Sequence, residues 1–278
     1  MGTSLSIGAF YNPHLATDIL AHPDLFDHLA MADSPDPRDP SWPTVRERFT
    51  LLLHDYLGQL SEPLAPAALA RAKRLLAEYC SPWAAEHVQR IRPTRDFNGL
   101  AGSIQLDYVF PPLYTEDLLE DYIRHARRLQ EALGVPLALE PIPAYLTVDV
   151  PQLSEADFLH RLCEGSGCVL ILDLAHLWLS ARLSGEDPRE RLQAMPLDRV
   201  IELHVAGCSL DRDLEELWIA PVLPEDDILD LAELAAAQAP ALRAVTFDAF
   251  APTLRAETLL AGIRMLRERF ANRLEARA

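Results

Sequence analysis

The chain has 278 residues, 49% of them hydrophobic, with 42 acidic against 25 basic residues and a formal charge of −17. That length and apolar content suit one large core, on the scale of barrels of about 250 residues, and argue against a disordered chain. The charge disfavours nucleic-acid partners, whose phosphates it repels, and the lack of a continuous run of about 20 apolar residues argues against a membrane-spanning helix.

The first residues, MGTSLSIGAFYNPH, have neither a basic start nor a long apolar run, so a signal peptide is not expected and the expected location is cytoplasmic. LSIGAF (5–10) reads as a strand, part of 14–27 as a helix, and HLAMAD (28–33) as a weak second strand. The prolines of SPDPRDPSWP (34–43) predict a loop. FTLLLHD (49–55) is a strand, AALARAKRLLAEY (67–79) a helix, and WAAEHV (83–88) a strand. Residues 90–114 have no clear period, and so long a stretch inside a compact domain points to a functional loop. A helix follows over 115–133, with Thr115 as its cap and Gly134 as its stop.

PLALE (136–140) is a strand, SEADFLHRLCEG (154–165) a helix with a capping serine, and CVLILDL (168–174) the most apolar strand. A helix is expected within 187–194, a strand at RVIELHV (199–205), a helix at 228–238, a strand at RAVTFDAF (243–250) and a last helix over about 253–270. Eight near-continuous apolar strands with intervening helices predict a parallel sheet covered on its outside. A single (β/α)₈ barrel domain over 1–278 is the expectation, with an open doubly wound sheet as the alternative. No phosphate-cradling glycine motif is present.

In a barrel, the C-terminal strand ends converge on one face. Here those ends carry His54, Glu86–His87, Glu140, Asp173, His204 and Asp248, with His176 just past Asp173 and Asp33 ending the weak second strand. Buried polar groups are costly unless paired or metal-bound. Imidazole and carboxylate suit iron, manganese or zinc. Two ions are expected, with Glu140 placed to bridge them. Glu86 and His87 face opposite ways on one strand, and His87 is taken as the inward residue. Asp173 is also a candidate cap for a following turn. His125 and His160 lie within helices and are expected at the surface. His14, His22 and His28 are assigned no role.

Tyr145, Trp178 and Cys208 are candidate substrate contacts, and Trp83 and Trp218 further candidates for that pocket or for plain packing. Arg90 and Arg92 read as solubilising residues or as carboxylate holders. Cys80, Cys163, Cys168 and Cys208 form no CxxC pair and are expected to be reduced.

Several segments resemble the multinuclear non-haem iron-dependent oxidases, the former DUF692 group of xylose-isomerase-like TIM barrels. They are LLLHDYLG (51–58), SPWAAEHV (81–88), PPLYTEDLL (111–119), LGVPLALEPIPAY (133–145), GCVLILDLAHLWLSA (167–181) and RVIELHVAG (199–207). The resemblance implies two or three irons, dioxygen chemistry on cysteine-containing ribosomal precursor peptides, and often a separate peptide-recognition protein. It matches His54 to the histidine of an LHG-like stretch and His87 to that of an SxHL-like stretch. Glu140 corresponds to the glutamate of LEN, Asp173 to the aspartate of LDVNN, and His204 to the first histidine of IHLAGH.

The chain departs from that pattern at four places. Ala175 or His176 stands where the family has asparagine, and Cys208 replaces the second histidine of IHLAGH. A DxH pair is altered around Glu216–Trp218. Thr246 replaces a last-strand glutamate, with Asp248 matching the aspartate after it.

The expected ligand set is therefore His54, His87, Glu140, Asp173, His176 and His204, with His176 and Asp248 as catalytic residues. The expected function is a di-iron oxidase acting on a cysteine-containing peptide or related thiol. The alternatives are a divalent-metal hydrolase or isomerase of the endonuclease IV or xylose isomerase type, and an inactive binding or scaffold protein.

Overall fold

Eight parallel strands close on themselves. They are β1 (Ser6–Phe10), β2 (His28–Met31), β3 (Thr50–His54), β4 (Ala84–Val88), β5 (Leu137–Pro141), β6 (Val169–Asp173), β7 (Val200–Val205) and, last in the chain, β10 (Ala244–Phe247). Each lies beside its neighbour in sequence, and β1 pairs with β10 to close the barrel. A separate antiparallel hairpin, β8 (Gly207–Asp211) and β9 (Glu216–Ala220), follows β7. The computed structural model describes residues 5–32, 35–36, 38–54, 60, 63–89, 111–145, 153–211 and 216–275, with backbone alone at 210–211, 216–218 and 275.

The helices are α1 (Ala16–Ala21), α2 (Trp42–Arg48), α3 (Pro66–Tyr79), α4 (Glu116–Leu133), α5 (Glu155–Ser166), α6 (Leu174–Ser184), α7 (Pro188–Ala194), α8 (Asp226–Gln238), α9 (Ala256–Arg269) and α10 (Ala271–Glu275). Their ends follow local chemistry. The Thr115 hydroxyl accepts from the Leu118 amide to start α4, and Gly134 ends it at φ 74°. Ser154 caps α5 in the same way.

Three elements differ from expectation. Helix α2 begins at the end of the proline-rich stretch, because Pro43 falls in the first turn, where a missing N–H costs nothing. Helix α6 starts at Leu174, directly after β6; Asp173 both ends the strand and caps the helix, so no loop separates the two. The β8–β9 hairpin occupies a region with no strand pattern.

Two apolar clusters result. The larger fills the space between the barrel wall and the helices. The smaller lies inside the barrel and includes Phe10, Ala30, Leu52, Ala85, Ala138 and Ile171. Small inward residues leave room there for polar ones. A Cβ on Gly8 would sit 2.6 Å from ring atoms of His28 and 2.2 Å from its carbonyl oxygen, so only glycine lets that imidazole lie within the barrel.

Candidate metal centre

The strand register gathers the polar residues at the C-terminal mouth. Asp173 on β6 pairs with His204 on β7, and His87 on β4 pairs with Glu140 on β5. Glu140 lies at the centre, 1% exposed. One of its oxygens is 2.6 Å from His54 Nε2 and 3.4 Å from His87 Nε2; the other is 3.2 Å from His204 Nδ1 and 3.7 Å from His176 Nδ1. Two overlapping donor sets arise, His54–Glu140–His204 and Glu140–Asp173–His204–Asp248, each with its ligand atoms within 4.8 Å of one another.

Asp173 serves two purposes. Its Oδ1 accepts from the His176 amide at 2.7 Å, capping α6. Its Oδ2 is buried without a hydrogen-bond partner. Such an orphaned carboxylate oxygen is costly unless a cation takes it.

The groups perturb one another strongly. Burial raises the Glu140 carboxyl, but the charges of His204 and His87 and the bonds from His204 and His54 outweigh it and hold the group well below its ordinary range. Burial lowers His204, and Glu140 and Glu202 reverse this, keeping it well above the usual histidine value. Burial lowers His176 too, while Asp173, Glu140 and Asp248 carry it upward. Asp248 is pushed up to about 6, by burial first and then by Asp173 and Glu140, against the pull of His204. Three carboxylates crowded beside imidazoles form a site whose excess negative charge a cation would offset. The donors are all nitrogen and oxygen, and the buried Asp173 oxygen awaits a partner. A divalent ion fits this set.

Other candidates fall in varied places. The Glu86 carboxylate is buried away from the cluster, accepting from the His87 amide at 2.7 Å and from Gln89. Tyr145 and Cys208 both feel the charge of Asp173, and burial pushes the Cys208 thiol up to about 12. Trp178 lies elsewhere. It is two residues beyond His176 on α6, roughly 200° round the helix, and packs against the outer core with the Arg182 guanidinium 5.5 Å from its ring. Trp83 is buried low in the barrel, its indole N–H donating to Glu202 at 3.0 Å.

His125 is buried rather than exposed, because its ring bonds the Leu60 carbonyl. His160 is exposed, and the four cysteines are free. Asp33, Arg90, Arg92 and most of the 90–114 loop lie outside the described residues, as do the side chains of Glu216 and Trp218.

Sequence reasoning passed over three residues. Phe10 sets its edge against both His54 and His204, with centroids 5.1 and 5.4 Å away. Glu202 is buried beside His204. Asn12 donates to the carbonyls of Phe10 and Ala249 and accepts from the Ala251 amide, tying β1 to the segment after Asp248. Asn12→Ala leaves these buried groups unmatched and is expected to cost about 2 kcal/mol in urea unfolding. A change within a few tenths of a kcal/mol would mean the clamp contributes nothing.

Comparison with known proteins adds relatives to this geometry. Residues 31–241 match the family described as RiPP precursor modification enzyme MbnB/TglH/ChrH. A UPF0276 protein of Caulobacter vibrioides (strain NA1000 / CB15N) is 31% identical over 172 residues, 61% of this chain and 59% of that protein. The alignment thus spans less than two thirds of that relative's length. A UPF0276 protein of Bordetella pertussis (strain Tohama I / ATCC BAA-589 / NCTC 13251) is 29% identical over 222 residues, 76% of this chain and 73% of that one. Among solved structures, a xylose isomerase-like TIM barrel protein from Mycobacterium smegmatis in complex with magnesium superimposes with a TM-score of 0.59. That match has 15% identity and covers 98% of each chain, a likeness of fold.

Proposed function

This chain belongs to the RiPP precursor modification enzyme MbnB/TglH/ChrH family, and we propose that it is a metal-dependent oxidase that uses dioxygen to modify a cysteine-containing peptide or a related thiol. The observation that carries the reading is the meeting of His54, Glu140, Asp173, His204 and Asp248 at the barrel mouth. His54 and Glu140 would hold one ion. Glu140, Asp173 and His204 would hold a second, His204 serving that ion alone and His54 the first, with His87 and His176 standing next to the shared carboxylate.

When bound, redox-active iron would supply a Lewis acid for a substrate thiolate and a route for electrons from substrate to dioxygen. The chain supplies the rest. Phe10 and the apolar barrel interior close off water from beneath the histidines. Tyr145 and Cys208 border Asp173 and are the proposed contacts for the peptide. Asp248, part-exposed at the rim, is the proposed acceptor for the proton that a thiol loses on binding, and His176, beside Asp173, the proposed proton donor. The carbon next to sulfur loses hydrogen, and dioxygen is reduced. A precursor peptide, presented by a separate recognition protein, is the proposed partner.

Among the described residues no helix is long and apolar enough to cross a membrane. We propose a cytoplasmic enzyme.

The second donor set, three carboxylates and one imidazole, also suits manganese or magnesium. On it rests the second reading, a divalent-metal isomerase or hydrolase. Anaerobic purification with metal analysis separates the two. The oxidase reading expects iron, dioxygen uptake and a mass change on a cysteine-bearing peptide encoded beside the gene. Turnover without dioxygen on manganese or magnesium would replace it with the second. A folded protein that takes up none of these metals would leave a binding protein.

A further inference from the structure

We propose that Glu202 is a positioning residue: it fixes His204 in the one tautomer and orientation that present Nδ1 to a metal ion, and a buried chain from Ser6 through His28 and Thr246 holds Glu202 for that task. The inference rests on the reading of the barrel mouth as a metal centre.

Glu202 and His204 are two residues apart on β7, so both face inward. Glu202 is 1% exposed. Its Oε2 accepts the Trp83 indole N–H at 3.0 Å. Its Oε1 accepts the Thr246 hydroxyl at 2.5 Å and lies 3.3 Å from His204 Nε2. With His28 neutral, hydrogen bookkeeping assigns each proton along the chain. Thr246 has one hydroxyl proton and gives it to Glu202, so its oxygen accepts from His28 Nε2–H, 2.8 Å away. His28 Nδ1 is therefore the acceptor for the Ser6 hydroxyl at 2.7 Å. All donors point one way, towards Glu202.

Trp83 and Thr246 both donate to this carboxylate and favour its ionised form, so the His204 nitrogen that faces it is the protonated one. The other, Nδ1, points at Glu140 at 3.2 Å and Asp248 at 3.9 Å, where a cation would sit. A carboxylate behind a metal-binding imidazole fixes its tautomer and raises its basicity. Filling space does not explain this residue. A buried carboxylate carries a large desolvation cost, and an apolar side chain of similar volume would fill the barrel without it. Its three donors and its place behind His204 give it a specific use.

The test uses zinc as a diamagnetic probe on the full chain. In the wild-type protein, ring-nitrogen NMR of ¹⁵N-histidine-labelled protein is expected to show His204 Nδ1 bound to zinc and Nε2 protonated. Glu202→Gln is expected to weaken zinc binding 10- to 100-fold by titration calorimetry and to shift the His204 ring signals in the metal-free protein. Thr246→Val, which keeps the carboxylate but removes one of its donors, is expected to weaken zinc measurably but less. It decides the matter if Glu202→Gln does not fold.

Unchanged zinc affinity in the folded variants overturns the inference, as does zinc on Nε2 of the wild type. Both leave the metal-centre reading standing. A wild-type chain that binds no zinc overturns both together.

Discussion

Replacing Glu140 with glutamine is expected to lower metal affinity by at least about 100-fold and to abolish turnover while leaving a folded barrel. Losing a group behind a ligand already costs about 10- to 100-fold, and Glu140 is a member of both donor sets. Four imidazoles surround it, at 2.6 to 3.7 Å. Glutamine keeps the shape but loses the charge, and its amide brings two protons into a site where imidazole N–H groups already donate.

The fold should survive, because Glu202 still faces the His204 ring in the variant and the glutamine amide still reaches the surrounding imidazoles. No isolated buried cation remains, and the cost is about 1–3 kcal/mol for imperfect hydrogen bonding. Metal content after desalting, set beside the melting temperature of the metal-free protein, separates the two effects. Wild-type metal content in a folded Glu140→Gln protein would show that Glu140 is a hydrogen-bonding hub and not a ligand.

How much of this was legible in the sequence follows from the range of each signal. Strand ends were easy to read, because a carboxylate or imidazole closing an apolar run, as in PLALE or VLILD, stands out locally, and the barrel brings such ends together. The eight-strand barrel was legible for the same reason. Helix α6 was not, since Asp173 closes β6 and caps α6 at once and no loop residues part the two.

The lower network was hidden by distance. His28 and Thr246 are 218 residues apart, and His28 opens a strand of four residues too short for alternation to show. Glu202 did carry a signal. Two residues before His204 on the same strand, it had to share that residue's face, and a buried carboxylate there needed partners. Phe10 gave none, because an aromatic residue ending a strand is ordinary packing until the histidines beside it are known.

In the metal-free protein, His28 is expected to withdraw about 2 kcal/mol of stability as pH drops from 7 to 5. Burial lowers the His28 imidazole from 6.5 to about 4, more than the Glu202 and Asp27 charges restore, and His204 adds to the lowering. The hydrogen bonds agree, since neutral His28 both accepts from Ser6 and donates to Thr246. Between pH 6.5 and 4 the unfolded chain binds the proton and the folded one does not. The contribution is thus fully present above 6.5 and drains away as pH falls towards 4, reaching about 3 kcal/mol in all.

His87, driven down to about 3 chiefly by burial, acts in the same direction. Asp248, His176 and His204, all raised, act the other way, so a single profile would blend them all. Urea unfolding at pH 7 and pH 5, with chelator present, should be run on the wild type and on His28→Gln. The variant loses the titrating group whatever its absolute stability, so the difference in slope isolates His28. Parallel profiles would mean that His28 keeps a near-normal affinity for its proton. The one-way hydrogen-bond chain from Ser6 to Glu202 would then have to run differently, because a charged His28 donates from both nitrogens and cannot accept from Ser6.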